Sequence, residues 1–329
     1  MPLPVLLLLH AASPVRQTTV TLTNGVMPGS KVDMPVMAAG TGGYKGTNAT
    51  HAIQRALAAG FSHIHTAYDY YNLKEIGDAL KMVPRNSFFL SSMTSPCIHP
   101  ASPPRRNVTD PTECRELTLK ESSMLFDALG VTTIDLLMLH GPAETFGHVG
   151  GCSPLACTLA AAQWEAYVQL LESGRVRSIG VSNFCQSCLE CLAAASSKTS
   201  ANATTPAVNQ IQVHVGQGSS DPGPGLVSYC KAHGIVVQAY EPLAGGALAT
   251  DEFCAAIGLK HQKSAAQVAL RWVLDRVPAL AVRAGSAAHL AQDLDIFDFE
   301  LDGSDLMGLD SRQGPVGEAG GRCSWGCTE

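Results

Sequence analysis

The sequence predicts an α/β protein of the (β/α)8 TIM-barrel class, preceded by an N-terminal β-hairpin. Two observations carry that prediction. Over about 300 residues, short aliphatic or β-branched runs alternate with longer amphipathic segments, eight of each, which is the arithmetic of a closed barrel. The Gly-x-Gly-x-x-Gly turn that an open doubly wound sheet would use after an early strand is missing.

The elements follow in order. Val20–Leu22 and Lys31–Asp33, joined through Asn24-Gly25, read as a hairpin that plugs one end of the fold, because Asn-Gly readily takes positive φ. Core strands are expected at Pro35–Ala38, Ser62–Thr66, Phe88–Ser92, Ile134–Leu139, Val176–Val181, Ala207–Gln212, Ile235–Ala239 and Leu280–Arg283. Helices are expected at Ala49–Ala58, Lys74–Lys81, Glu113–Leu129, Leu159–Glu172, Cys185–Ala195, Gly225–His233, Ser264–Arg276, where Ser264 is placed to cap, and Ala287–Leu294. Two Pro- and Gly-rich stretches, Ser95–Pro111 and Gly141–Ala156, read as loops after the third and fourth strands, either lining the mouth of the barrel or standing as surface insertions. The domain reading is a leader segment over 1–18, the barrel over 19–312 and a Gly/Cys-rich tail over 313–329.

Composition narrows the function. The chain has 329 residues, 46% of them hydrophobic, enough for a large core, so disorder is excluded. Twenty-two Lys and Arg against 28 Asp and Glu give a net charge of -6, which argues against nucleic acid or anionic lipid as partner. No run reaches the roughly 20 apolar residues that span a bilayer. A cytoplasmic location is expected. The secretory pathway is the alternative, raised by the apolar run Val5–Leu9 before Ala11-Ala12-Ser13, the three sequons at Asn48, Asn107 and Asn202, and the eleven cysteines. Cys185, Cys188 and Cys191 fall on one helical face, and oxidised or buried thiols are favoured there over a metal. Cys323 and Cys327 in the tail could pair with each other or with a loop. His63 and His65 point to the same strand face, but no helical His spacing suggests a metal site, and none is expected.

Several segments, in the right order and at matching intervals, carry chemistry. They are Gly60-Phe61-Ser62-His63-Ile64-His65-Thr66-Ala67 with Tyr70; Ile134–Leu139 followed by His140-Gly141-Pro142; Leu171-Glu172-Ser173-Gly174-Arg175 running into Val176–Phe184; Ala207-Val208-Asn209-Gln210; and Ile235–Leu243. From about Thr21 to Asp310 the sequence resembles the aldo-keto reductases. The resemblance implies NADP(H) lying across the mouth of the barrel without a Rossmann fold, and hydride transfer to a small-molecule carbonyl. It places Ser182, Asn183 and Gln210 on the nicotinamide carboxamide and Tyr240 stacked under its ring, with Thr41 and Leu243 completing the cofactor-binding set. Arg283 stands where the family has a Lys for the 2′-phosphate, and an Arg fork serves a dianion as well. His289 replaces a family Arg and Asp293 a family Asn, which weakens the preference for NADPH.

The resemblance also assigns the catalytic positions, and here the chain departs from the pattern. Tyr70 and His140 match the proton donor and its neighbour. The Asp position of the tetrad holds His65, and the Lys position holds Met93. A phenol titrating near pH ~10 needs an adjacent cation to exchange protons readily at neutral pH, so proton transfer is expected to be weakened. The two losses fit together, since a buried Asp without its Lys would be an uncompensated charge. One reading is an NADP(H)-dependent carbonyl reductase with weakened proton transfer. The alternatives are a non-catalytic NADP(H)-binding or regulatory protein on the same scaffold, and a reductase in which protonated His65 substitutes for the Lys. Glu241, next to Tyr240, would repel a pyrophosphate unless turned outward or paired.

Overall fold

The structure, a computed structural model, describes residues 18–99, 106–143, 152–199, 205–217, 225–283 and 285–312. The leader expected over 1–18 (but for Thr18), the tail over 313–329 with Cys323 and Cys327, and the sequon at Asn202 lie outside the described residues.

Eight parallel strands close into a barrel. In chain order they are β3 (Met37–Gly40), β4 (His63–His65), β5 (Phe89–Thr94), β8 (Ile134–Leu139), β9 (Val176–Ser182), β10 (Val208–Gln212), β11 (Val236–Tyr240) and β12 (Ala279–Val282), with β12 pairing back onto β3. Their residues are buried almost without a break, which is why the sequence shows continuous apolar runs rather than alternation. Helices wrap the outside: α1 (Thr47–Ala59), α2 (Leu73–Leu80), α3 (Pro111–Leu129), α4 (Pro154–Glu172), α5 (Gln186–Thr199), α6 (Leu226–Ala232), α8 (Ala265–Arg276) and α9 (Ala287–Leu294).

The hairpin is present as β1 (Thr19–Leu22) against β2 (Val32–Pro35), in register from Thr19↔Pro35 to Leu22↔Val32. Leu22, Val32 and Met34 go into the core. The connection pushes into the end of the barrel where strands begin: the Gly25 carbonyl accepts from Ile179 N–H at 2.7 Å and Val26 bridges Ser178. Gly25 has φ +55, and a Cβ there would sit 2.3 Å from the Ile179 carbonyl oxygen, so both the turn and the close approach require glycine.

Four details differ from the sequence reading. The strand placed at Pro35–Ala38 is two elements, because the chain turns at Val36 from hairpin to barrel. Helix α4 starts at Pro154, five residues before the expected Leu159, with the Ser153 hydroxyl accepting from Ala156 N–H and Pro154 at the first helical position. Two further helices exist, α7 (Glu252–His261), capped by Asp251, and α10 (Gly303–Asp310), capped by Asp302. The stretch after β5 is not a bare loop. It folds a short antiparallel ribbon, β6 (Ile98–His99) with β7 (Arg106–Asn107), and Cys97, Ile98 and His99 are buried.

Six cysteines form three pairs. Cys97–Cys114 ties the ribbon to α3, while Cys152–Cys188 and Cys157–Cys191 tie the start of α4 to α5. The Cys185-x-x-Cys188-x-x-Cys191 face is thus split: Cys185 is a free, buried thiol and the other two are paired. The sulfurs of Cys152, Cys157 and Cys191 lie within 4.8 Å of one another. No helix among the described residues is long and apolar enough to cross a membrane.

Candidate active site

The residues singled out from the sequence gather where the strands end. The hydrogen-bond ladder is extended past four of the strands: Thr41 N–H reaches the His65 carbonyl, Thr66 N–H the Ser91 carbonyl, His140 N–H the Thr94 carbonyl, and Asn183 N–H the Gln210 carbonyl. These bonds fix the first residue of each loop, so side chains there are held as firmly as strand residues.

On one side, β9, β10 and β11 present an interlocked polar set. The Ser182 hydroxyl donates to the Gln210 carbonyl at 2.8 Å, and Gln210 Nε2 donates to Gln238 Oε1 at 2.8 Å. Asn183 takes φ +59, a backbone conformation that suits Asn better than most side chains. Its Nδ2 donates to the His140 carbonyl at 2.9 Å, and its Oδ1 accepts from the Tyr240 hydroxyl at 2.9 Å. Gly180, two residues before Ser182, lets β9 pack against β10; a Cβ there would meet the Val208 carbonyl at 2.7 Å. Glu241 is exposed and accepts from Gln212 Nε2 at 2.8 Å, so it is both turned outward and paired.

On the other side, a short 3-10 turn, Tyr68–Tyr70, follows β4. Asn72 locks it by donating to the Thr41 and Tyr44 carbonyls. The Tyr70 and His140 rings meet edge to face with centroids 5.8 Å apart, and Tyr70 meets His65 the same way at 6.4 Å. Burial pushes the Tyr70 phenol well above its ordinary range, and the carboxylates of Asp69 and Glu241 add to the shift. Met93 is fully buried.

Hydrogen bonding settles the state of His65. Burial holds His63 down to about 4 and His65 down to about 3, so both are neutral at working pH. His63 Nδ1 lies 3.0 Å from the Pro35 carbonyl, which only accepts, so Nδ1 carries the proton and Nε2 is an acceptor. The Ser91 hydroxyl, 2.8 Å from that Nε2, donates to it and therefore accepts from His65 Nδ1 at 2.9 Å. His65 consequently presents a lone pair at Nε2, buried and without a hydrogen-bond partner among the described residues. A protonated His65 standing in for Lys does not fit this arrangement.

Sequence reasoning missed Asp69. Both its oxygens lie 2.9 Å from His140 Nδ1, and one lies 3.8 Å from His99 Nε2 on the ribbon. Burial opposes ionisation, yet His140, with His99, holds the Asp69 carboxyl below the usual carboxylate range. Its position, directly before Tyr70, was the available signal.

The remaining predicted residues lie around the rim. The Arg283 guanidinium stacks over Tyr44, 4.5 Å from the ring centroid, and is exposed. His289 is exposed in the first turn of α9, where its backbone N–H reaches the capping Ser286 hydroxyl. Leu243 is half-buried at the start of a turn containing Gly245 and Gly246. Thr41 is buried, and its hydroxyl has no partner among the described residues.

A closed parallel barrel with polar and titratable side chains collected beyond its strand ends has the architecture of a (β/α)8 enzyme. Comparison with known proteins specifies which. The aldo/keto reductase family model matches residues 36–312, and the chain belongs to that family. It is 31% identical over 301 residues to aldose reductase B of Dictyostelium discoideum, covering 84% of this chain and 88% of that one. To glyoxal reductase of Bacillus subtilis it is 31% identical over 307 residues, covering 90% and 95%. The crystal structure of an aldo/keto reductase from Brucella melitensis superposes with a TM-score of 0.70 at 29% identity, covering 89% of this chain and 99% of that one. A Bombyx mori aldo-keto reductase solved in complex with NADP has the same fold, with a TM-score of 0.69 at 23% identity.

Proposed function

We propose that this protein is an NADP(H)-dependent oxidoreductase that reduces small-molecule aldehydes or ketones to alcohols, with proton transfer weakened by His65 and Met93 at the tetrad's Asp and Lys positions. The observation that carries the reading is the cross-linked set Ser182, Asn183, Gln210 and Tyr240 standing beside Tyr70 and His140. The unpartnered hydroxyl of buried Thr41 and the exposed guanidinium of Arg283 fit a polar, anionic cofactor extended across the mouth. Ser182, Asn183 and Gln210 would hold the carboxamide, Tyr240 would stack on the ring, and Arg283 with His289 would meet the 2′-phosphate. A reduced nicotinamide, when bound, supplies the hydride. Tyr70 and His140 orient the carbonyl through its oxygen, and the buried walls around Met93 exclude water from that side.

Titration of the purified protein with NADPH and NADH, followed by cofactor fluorescence, tests the reading alongside turnover on a panel of aldehydes. Binding with slow turnover is expected. Binding without any turnover supports the alternative, a non-catalytic NADP(H)-binding protein, and no binding removes both. For location, the three cystine pairs and the exposed sequon asparagines Asn48 and Asn107 favour the secretory alternative over the cytoplasmic one.

A further inference from the structure

The two cystine pairs between α4 and α5 lie side by side. Cys152 stands directly before the capping Ser153 of α4 and Cys157 in the first turn, while Cys188 and Cys191 follow one another about a turn apart on α5. The sulfurs of Cys152, Cys157 and Cys191 are within 4.8 Å of one another although they belong to two different pairs, and Cys188 is paired with Cys152. Two disulfides need no such convergence, because each requires only its own partner; Cys97 and Cys114 join no group of this kind among the described residues. Four thiolates around a tetrahedral Zn2+ lie about 3.8 Å apart, from Zn–S bonds of about 2.3 Å, which is inside the observed spread. The spacings Cys152-x4-Cys157 and Cys188-x2-Cys191 are those of paired zinc ligands.

The surroundings suit the ion as well. Cys152 N–H donates to the Ser187 hydroxyl at 3.1 Å, so the segment before α4 is tied to the start of α5 by a contact that needs neither disulfide. Cys157 and Cys188 each lie in the first turn of a helix, where backbone N–H dipoles favour a thiolate. Cys188 is buried and the other three are half-buried, which leaves an entry path. We propose that in the reduced chain Cys152, Cys157, Cys188 and Cys191 form a tetrathiolate site for Zn2+. The same sulfurs then link α4 to α5 in two ways, as disulfides in an oxidising compartment and through one ion in a reducing one. In the change, each S–S bond takes two electrons and two protons from a dithiol, whose own sulfurs end as a disulfide. The four thiols then release four protons to solvent as four Zn–S bonds form. Reduced and metal-free, the pairs are no link, and helix packing alone joins α4 to α5. The site shares no residue with the cofactor-binding or catalytic set and stands independently of the carbonyl-reductase reading.

The test takes the full chain, reduced with a phosphine and stripped of metal, and titrates it with Zn2+ against a chromophoric chelator and, in parallel, with Co2+. One Zn2+ per chain is expected, bound more tightly than about 1 µM, and it should restore melting temperature lost on reduction. Co2+ should give the intense visible absorption of a tetrahedral ion among sulfurs. The oxidised chain should bind neither ion, and reduction should bring binding back. Cys157→Ser with Cys191→Ser should weaken binding by about a hundredfold or more, whereas Cys185→Ser, and Cys97→Ser with Cys114→Ser, should leave it at one ion per chain. Cys191→His, which exchanges a sulfur ligand for a nitrogen, should shift the cobalt bands, a change that a merely packed cysteine would not produce. Circular dichroism of each metal-free sample checks that it is folded. No saturable binding by the reduced wild type overturns the proposal, as does binding that survives Cys157→Ser with Cys191→Ser, or cobalt bands that are the same in Cys191→His.

Discussion

His65 donates from Nδ1 to the Ser91 hydroxyl at 2.9 Å, and that contact makes a buried ring at the mouth of the barrel a neutral acceptor. Stability should therefore depend on pH through His65 and its neighbour His63. Their folded-state values, about 3 and about 4, lie below the ~6.5 of an unfolded imidazole. The unfolded chain takes up protons first as pH falls, so stability is full above pH ~6.5 and is lost progressively toward pH 4. Urea midpoints measured from pH 8 to pH 4 should fall over that window. In His65→Gln the fall should be shallower, and an unchanged slope would show that His65 does not titrate as described.

Ser91 and Met93 share a face of β5, two residues apart, and Ser91 is paired in register with His65 and hydrogen-bonded to it. Replacing His65 by Asp alone puts a carboxylate into a site only 3% exposed with no cation to meet it, and should cost several kcal/mol at neutral pH. Met93→Lys alone buries an ammonium in the same way. The two together should cost less than the sum, a coupling on the order of 1–3 kcal/mol in a double-mutant cycle followed by denaturant unfolding. The same double variant should speed carbonyl reduction, because a cation at the position the resemblance gives to Lys should draw the Tyr70 phenol back down. Strict additivity in stability, or no gain in rate with NADPH bound, would mean the two positions do not form the pair inferred.

The barrel was legible wherever burial is continuous. Ile134–Leu139 and Ala287–Leu294 are found with the predicted bounds, one a strand buried on both faces and the other a helix with a clear start at Ser286. Helix α7 was not legible, because only Cys254 and Gly258 are fully buried, with Ile257 packed at the edge of the core, while Phe253 and Leu259 are exposed, so its apolar stripe is weak. The β6–β7 ribbon has two residues per strand, too few for any periodicity. In the site, the family motifs pointed to Ser182, Asn183, Gln210, Tyr240, Tyr70 and His140, which the fold does bring together. Asp69 escaped because its partner is 71 residues away, and the state of His65 escaped because it is set by the Pro35 carbonyl through two other side chains.

Asp293, on α9, offers a second pH signature of opposite sign. Burial pushes its carboxyl up to about 7. The folded protein therefore holds a proton that the unfolded chain has lost above pH ~4, and stability declines as pH rises from there to about 7 before levelling. Asn keeps the shape of the protonated acid without the charge. Asp293→Asn should raise the melting temperature at pH 8 by a few degrees and leave it nearly unchanged at pH 4. Equal shifts at both pH values would show that packing, and not ionisation, is responsible.

The three cystine pairs all anchor segments that follow β5 and β8, on the side of the barrel where Tyr70 and His140 lie. Their Cα separations, 5.6, 4.9 and 5.6 Å, suit disulfides, and they close loops of 17, 36 and 34 residues. Loops of that size stabilise by about 3 to 4 kcal/mol each when oxidised, chiefly by restricting the unfolded chain. Alkylation of the unfolded protein without reductant should label no more than five of the eleven cysteines, and all eleven after reduction. Reductant should also lower the melting temperature by several degrees. Cys157→Ala with Cys191→Ala should remove part of that sensitivity, because it deletes one of the two links between α4 and α5. Labelling of all eleven thiols in the unreduced protein would show that these pairs are close thiols and not bonds, and the helix packing around α4 and α5 would then have to hold the loop after β8 on its own.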